Sequence, residues 1–194
     1  MGVPAPAAPV SEGGRRPGDR TKEKLMKKVL WSGALALAVA ALVALAPVSA
    51  QAQEKLEGKA FDSAYVKDFY LEGNAIPTQK RNTVVLKGAD GKRMVFGLLD
   101  TSGYSAEIQQ KYAGMMILER KTMVGGAAVG TGSYGFGLQK GTPAEGPGKL
   151  MVYDVAGAKV GEVAAQWDKA LTQPVPLQFV NGRLYVGRHW VEIK

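Results

Sequence analysis

The chain has 194 residues, with 25 Lys and Arg against 17 Asp and Glu, one His and no Cys. That length is about one domain, and the missing thiols exclude a disulfide framework and leave zinc, copper or haem almost no soft or nitrogen ligands. The net charge of +8 is concentrated at the N-terminus, because seven basic and three acidic residues precede position 29 and the remainder carries 18 against 14.

Residues 1–25, MGVPAPAAPVSEGGRRPGDRTKEKL, are rich in Pro, Ala, Gly and charge. Such a stretch buries no core and reads as a disordered extension, most simply one lying upstream of a true start at Met26. From Met26 a basic Lys27-Lys28 pair precedes an apolar run from Ala34 to Ala46, closed by Val48-Ser49-Ala50 and Ala50-Gln51-Ala52. A basic region, an apolar region and an A-x-A-like site make residues 26–52 a secretory signal peptide, cleaved after Ala52 or, second, after Ala50. An uncleaved anchor is the alternative, for which the apolar stretch is borderline in length. The expectation is an exported, periplasmic or extracellular protein, unlipidated and without stable membrane insertion once the signal is removed.

Twenty of the 142 residues from Gln53 to Lys194 are Gly, set between short apolar runs. That pattern reads as many short strands joined by tight turns, in a single β-rich domain spanning 53–194. Phe61, Tyr65 and Phe69 recur at four-residue spacing, which fits a short helix around 62–67 or an alternating strand. Thr83 to Lys87 and Lys92 to Leu99 flank Asp90-Gly91 and read as a hairpin. Ser105 is a good N-cap, Glu107 suits the positive end of the helix dipole, and Ile108, Tyr112 and Met115 share a face, so a helix is expected over 106–113, closed by Gly114. Residues 141–148, GTPAEGPG, read as a flexible loop. Two more hairpins follow, 149–154 with 158–163 around Gly157, and 176–180 with 183–186 around Asn181-Gly182; a last strand over 189–193 follows a kink at Gly187. The expected fold is mainly β: an antiparallel β-sandwich or partly open β-barrel with one short helix. An outer-membrane barrel would need apolar outward faces on strands of about 9 to 11 residues, whereas these are shorter and carry Lys or Arg.

Gly130-Thr131-Gly132-Ser133-Tyr134-Gly135 spells the G-x-G-x-x-G of phosphate-cradling loops. A dinucleotide fingerprint should open a helix whose N-terminus faces the phosphates, and Phe136-Gly137-Leu138 is a poor helix start. With period two, Tyr134, Phe136 and Leu138 instead point to the core while Gly135 and Gly137 bare the backbone to a close neighbour. No cofactor is expected.

Leu98-Leu99-Asp100-Thr101-Ser102-Gly103, followed by the helix, resembles the active-site strand and turn of retroviral-type aspartic proteases, with Ser102 standing before the Gly. The resemblance implies a homodimer in which two Asp100 carboxyls share a proton to activate water, with Thr101 and Gly103 shaping the turn. The plainer reading is an Asp-Thr-Ser-Gly turn bonding its own backbone. Tyr153-Asp154-Val155-Ala156-Gly157 is similar to a hairpin phrase of immunoglobulin-like sandwiches, which bears on fold alone.

His189 is the single imidazole, so no Ser-His-Asp or metal set can be assembled without it; no metal site is expected. Basic residues Lys80, Arg81, Lys87, Lys92 and Arg93 gather around the first hairpin and could touch anionic polymer, but no nucleic-acid motif accompanies them. Tyr65, Phe69, Tyr70, Trp167 and Trp190 are the candidate binding aromatics. The functional expectation is a non-enzymatic exported module that binds a protein or envelope polymer, or supports the envelope. A hydrolase built on Asp100 is the alternative.

Overall fold

Period-two alternation of apolar residues builds the sheet in this computed structural model, which describes residues 53–194. The extension over 1–25 and the signal peptide over 26–52 lie outside the described residues. In chain order the elements are β1 (Glu54–Lys55), α1 (Gly58–Ala64), β2 (Asp68–Leu71), β3 (Asn74–Lys87), β4 (Arg93–Leu99), α2 (Ala106–Lys111), β5 (Gly114–Leu118), β6 (Thr122–Val124), β7 (Ala127–Val129), β8 (Gly132–Gln139), β9 (Gly148–Asp154), β10 (Lys159–Trp167), β11 (Leu177–Val180), β12 (Arg183–Val186) and β13 (His189–Glu192). The main sheet runs β1-β3-β4-β5-β8-β9-β10-β13-β12-β11, with β2 added to β3. Its pairings are antiparallel, and it curls into a half-barrel with β11 lying against β3. Of the two expected architectures, the open barrel is the nearer and the sandwich is not formed. Two short helices are present where one was expected.

The central strands are buried on both faces. Val84, Leu86, Met94, Phe96, Met116 and Leu118 enter an inner core with Phe136, Leu150, Val152, Val163, Leu184 and Val191. Their sequence neighbours Val85, Val95 and Met115 enter an outer core with Ala64, Phe69, Leu71, Ile76, Ile108 and Tyr112, supplied by α1, β2, the start of β3, and α2 with its C-cap. Two-sided burial explains why Val84-Val85-Leu86 and Met94-Val95-Phe96 are continuous apolar runs. The β6–β7 hairpin covers the inner side: Val124 and Val129 join the inner core, and Val124 bridges Ile193. Met123 donates its N–H to Lys194 O at 2.7 Å and accepts from Lys194 N at 3.0 Å.

The expected hairpins around Asp90-Gly91, Gly157 and Asn181-Gly182 form, the last with both residues at positive φ, 50° and 76°. The first begins earlier than its pattern suggested. β3 starts at Asn74 and bulges between Thr78 and Thr83, where Thr83 Oγ1 donates to Gln79 O at 2.9 Å. Polar residues 79–82 hide the strand from a period-two reading. The kink expected at Gly187 is a complete two-residue turn, since Val186 pairs with His189. The helix after Ser105 ends at Lys111 rather than at 113; Ser105 Oγ accepts from Ile108 N at 3.4 Å, and Tyr112 is already extended. Gly114 is therefore a strand residue, and its missing side chain leaves room for the ring of Phe136.

The stretch around Gly130 is a strand. Phe136 is fully buried in the inner core with Tyr134 and Leu138 packed against it. On the other face, a Cβ at Gly135 would lie 2.6 Å from Tyr112 Cε1, and one at Gly137 would overlap the carbonyl oxygen of Lys111. Gly137→Ala should therefore destabilise the fold by about 1–3 kcal/mol or more, since a backbone atom cannot rotate away. Gly130→Ala, with no contact closer than 3.5 Å to its Cβ, should lie within about 1 kcal/mol of the parent. Equal denaturant midpoints for the two variants would contradict this packing.

Candidate functional site

Asp100 follows β4 and is exposed. Its Oδ1 accepts from Ser102 Oγ at 2.7 Å and from Ser102 N at 3.2 Å, and Tyr104 N donates to Thr101 O at 3.0 Å. Those bonds hold the carboxyl below its usual range, the Ser102 hydroxyl contributing most. Within the single chain, Asp100, Thr101 and Gly103 form a side-chain-capped turn.

A polar cluster that the sequence did not suggest lies over β8. Glu72 and Gly73, at φ 50° and 77°, turn β2 into β3. An acidic residue in the left-handed region is uncommon, and here the side chain is anchored: Oε1 accepts from Tyr112 Oη at 2.6 Å and from Lys111 Nζ. Lys111 and Tyr112 hold the Glu72 carboxyl below its usual range, the lysine hydrogen bond contributing most. Burial, then Glu72, pushes the Tyr112 hydroxyl well up. Tyr153 meets Tyr112 edge-on at 5.4 Å, Lys111 Nζ lies 5.0 Å over the Tyr153 ring, and Glu72 N donates to Val155 O at 2.8 Å. The cluster ties the β2–β3 turn, α2 and the β9–β10 hairpin together.

The five aromatics do not converge. Phe69 is 4 % exposed and belongs to the outer core, so it presents no binding surface. Tyr70 is 66 % exposed on the opposite side of β2. Tyr65 stacks on Phe61 at 6.0 Å and donates to Thr78 O at 3.0 Å. Trp167 and Trp190 lie on adjacent strands but face opposite ways, because Trp167 pairs with His189 while Trp190 pairs with Gln166. The basic residues near the first hairpin are partly neutralised, Lys80 by Asp62 at 2.8 Å and Arg93 by Glu119 at 2.6 Å.

Trp167 closes the inner side together with His189, their rings edge-on at 4.8 Å. His189 is 2 % exposed, and its Nε2 lies 3.1 Å from Gly146 O, which ties the 141–148 loop down. Burial lowers the imidazole below its usual range. Beside that loop is an open groove of about 580 Å³ lined by Gln139, Lys140, Thr142, Lys149 and Glu162. Lys149 is already paired with Glu162 at 2.6 Å.

Trp190 stands on the outer face of β10–β13 beside groups of a different kind. The Arg183 guanidinium lies over its ring at 4.0 Å, Tyr185 lies 6.5 Å away, and the Tyr185 hydroxyl donates to Asp168 Oδ2 at 3.1 Å. A stacked guanidinium, an indole and flanking amides can recognise a polar ligand from outside the sheet. Among the described residues, no three His, Cys, Asp or Glu side chains group to hold a metal ion, and no helix is long and apolar enough to cross a membrane.

Glu72→Ala removes the acceptor shared by Lys111 and Tyr112 and should cost about 1–3 kcal/mol in chemical denaturation. For His189 the folded pKa is depressed, so the unfolded chain binds the extra proton as the pH falls. Its contribution is complete above the ordinary imidazole value of 6.5 and declines below it, toward the lower folded value. His189→Gln should flatten the loss of thermal stability between about pH 7 and pH 5; parallel slopes for parent and variant would contradict the assignment.

Comparison of the chain with protein-family models, with curated proteins and with solved structures found no match.

Proposed function

We propose that this protein is an exported, non-enzymatic binding module that engages a cell-envelope polymer or an envelope protein through its outer surface. The observation that carries the reading is where the side chains go. The inner face of the half-barrel is filled by Met94, Phe96, Met116, Phe136 and Leu150, each at most 1 % exposed, with the β6–β7 hairpin laid over it. A barrel packed with side chains leaves no chamber for a small ligand. Recognition chemistry is then confined to the outside, where Trp190 and Arg183 stand on the face of β10 to β13.

Export follows from the basic, apolar and small-residue segments of 26–52. A cysteine-free β-domain suits that route, because its stability needs no thiol-reducing compartment.

Fractionation of a bacterial host making the full chain with a C-terminal tag is the direct test. The expected product lies outside the cytoplasm and begins at Gln53 or Gln51 by mass spectrometry. It co-sediments with isolated envelope material, and Trp190→Ala weakens that association about tenfold or more. An intact N-terminus retained in the cytoplasm, or an exported product that leaves envelope material unbound, would overturn the reading.

A further inference from the structure

Ladder register places Gln178, Tyr185, Trp190 and Gln166 directly opposite one another across β11, β12, β13 and β10. Opposed residues of antiparallel neighbours share a face, so the four form one row on the outer side of the sheet, with Tyr185 buried within it, Gln178 and Trp190 half-buried and Gln166 exposed. Three strand spacings make that row about 14 Å long. Val180, Arg183 and Glu192 form the next row on the same face.

The charges of this face are unevenly used. Arg183 is directly opposite Glu192, yet Glu192 pairs with Lys194 at 3.0 Å while the guanidinium lies on the Trp190 ring. Among the described residues neither Arg183 nor Arg188 takes part in an ion pair. Arg188 donates only to the backbone carbonyls of Asp168 and Lys169, at 3.2 and 3.5 Å. The nearby Asp168 carboxylate accepts from Ala170 N, Leu171 N and Tyr185 Oη. Gln178 Nε2 is shielded from solvent and has no acceptor. Two guanidinium groups outside any ion pair, one of them held flat by an indole, therefore border a row whose solvent-facing amide is that of Gln166.

We propose that this outer face binds a strand of acidic glycan, with a sugar carboxylate received by the fork of Arg183. Trp190 holds the guanidinium in plane, so less side-chain freedom is lost when a planar, two-oxygen acceptor docks. Gln166, exposed at one end of the row, offers a donor and an acceptor, which suits a chain of hydroxyls better than an apolar segment. Arg188 adds positive potential at the border of the face. The inference rests on the binding-module reading above and names its ligand class.

Polygalacturonate, dextran, poly-glutamate and phosphatidylglycerol vesicles are the probes, each titrated against the full-length protein by calorimetry or sedimentation. Polygalacturonate is expected to bind at least tenfold more tightly than the other three, and to weaken as salt rises. Arg183→Lys should lose about tenfold, since an ammonium lacks the fork, and Arg183→Gln should lose binding while its unfolding midpoint stays near the parent's. Lys59→Gln, on α1 and exposed, should bind as the parent does.

Equal or tighter binding of dextran, poly-glutamate or vesicles would overturn the proposal, as would an Arg183→Gln protein that keeps parental affinity for polygalacturonate. Should Arg183→Gln prove unfolded, Trp190→Phe provides the second reading. It keeps an aromatic support and should retain most of the affinity, whereas Trp190→Ala should lose it; identical affinities would count against the site. An exported protein that still captures envelope material after Arg183→Gln overturns this site while leaving the binding-module reading intact.

Discussion

The close approach of Tyr112 to the bare backbone of Gly135 is the contact on which the outer half of the fold depends. Met115 and Tyr153 flank Gly135 on the same face by register, so a side chain there would displace the phenol. With Gly137 also bare, the end of α2 lies directly on β8, and Ala113 N donates to Phe136 O at 2.8 Å. That seating brings the Tyr112 hydroxyl and the Lys111 ammonium to Glu72, which in turn holds the β2–β3 turn against the β9–β10 hairpin. One geometric permission, the absence of two Cβ atoms, is thus converted into a charged and aromatic clamp.

That clamp has a consequence for function. Because α1, α2 and β2 cover one stretch of the outer face and the β6–β7 hairpin covers the inner face, strands β3 to β5 are buried on both sides. On the outer face of β10 to β13 Tyr185 is buried, Trp190 half-buried, and Gln166 and Arg183 exposed. The 141–148 loop is secured through His189 to the inner side. On the proposed reading, the clamped end of the sheet supplies stability and the β10–β13 end carries recognition.

Much of the fold could be read from local patterns. Asn181-Gly182 predicted its hairpin because positive φ at both turn residues is a local demand. Ser105 predicted the start of α2 for a similar reason, since an N-cap bond spans only three residues. The strand at Tyr134 to Leu138 was legible from alternation, and its glycines from what a helix start would not tolerate. β2 and the early part of β3 escaped notice because Glu72 is an unexpected turn residue, stabilised by partners 39 and 40 positions away. Candidate sites fared differently: aromatic identity marked both Phe69 and Trp190, but only burial separates a core ring from a surface one.

By itself the sequence determined a mainly β chain, its principal hairpins, one capped helix and a strand in place of a phosphate loop, because each rests on residues a few positions apart. Tertiary structure decided the rest. Whether the sheet folds into a sandwich or curls as a half-barrel depends on bulges and on strand order, which no short window contains. Whether Arg183 meets Glu192 or lies on Trp190 depends on competition among Lys194, the indole and solvent, which exists only after β12 and β13 pair.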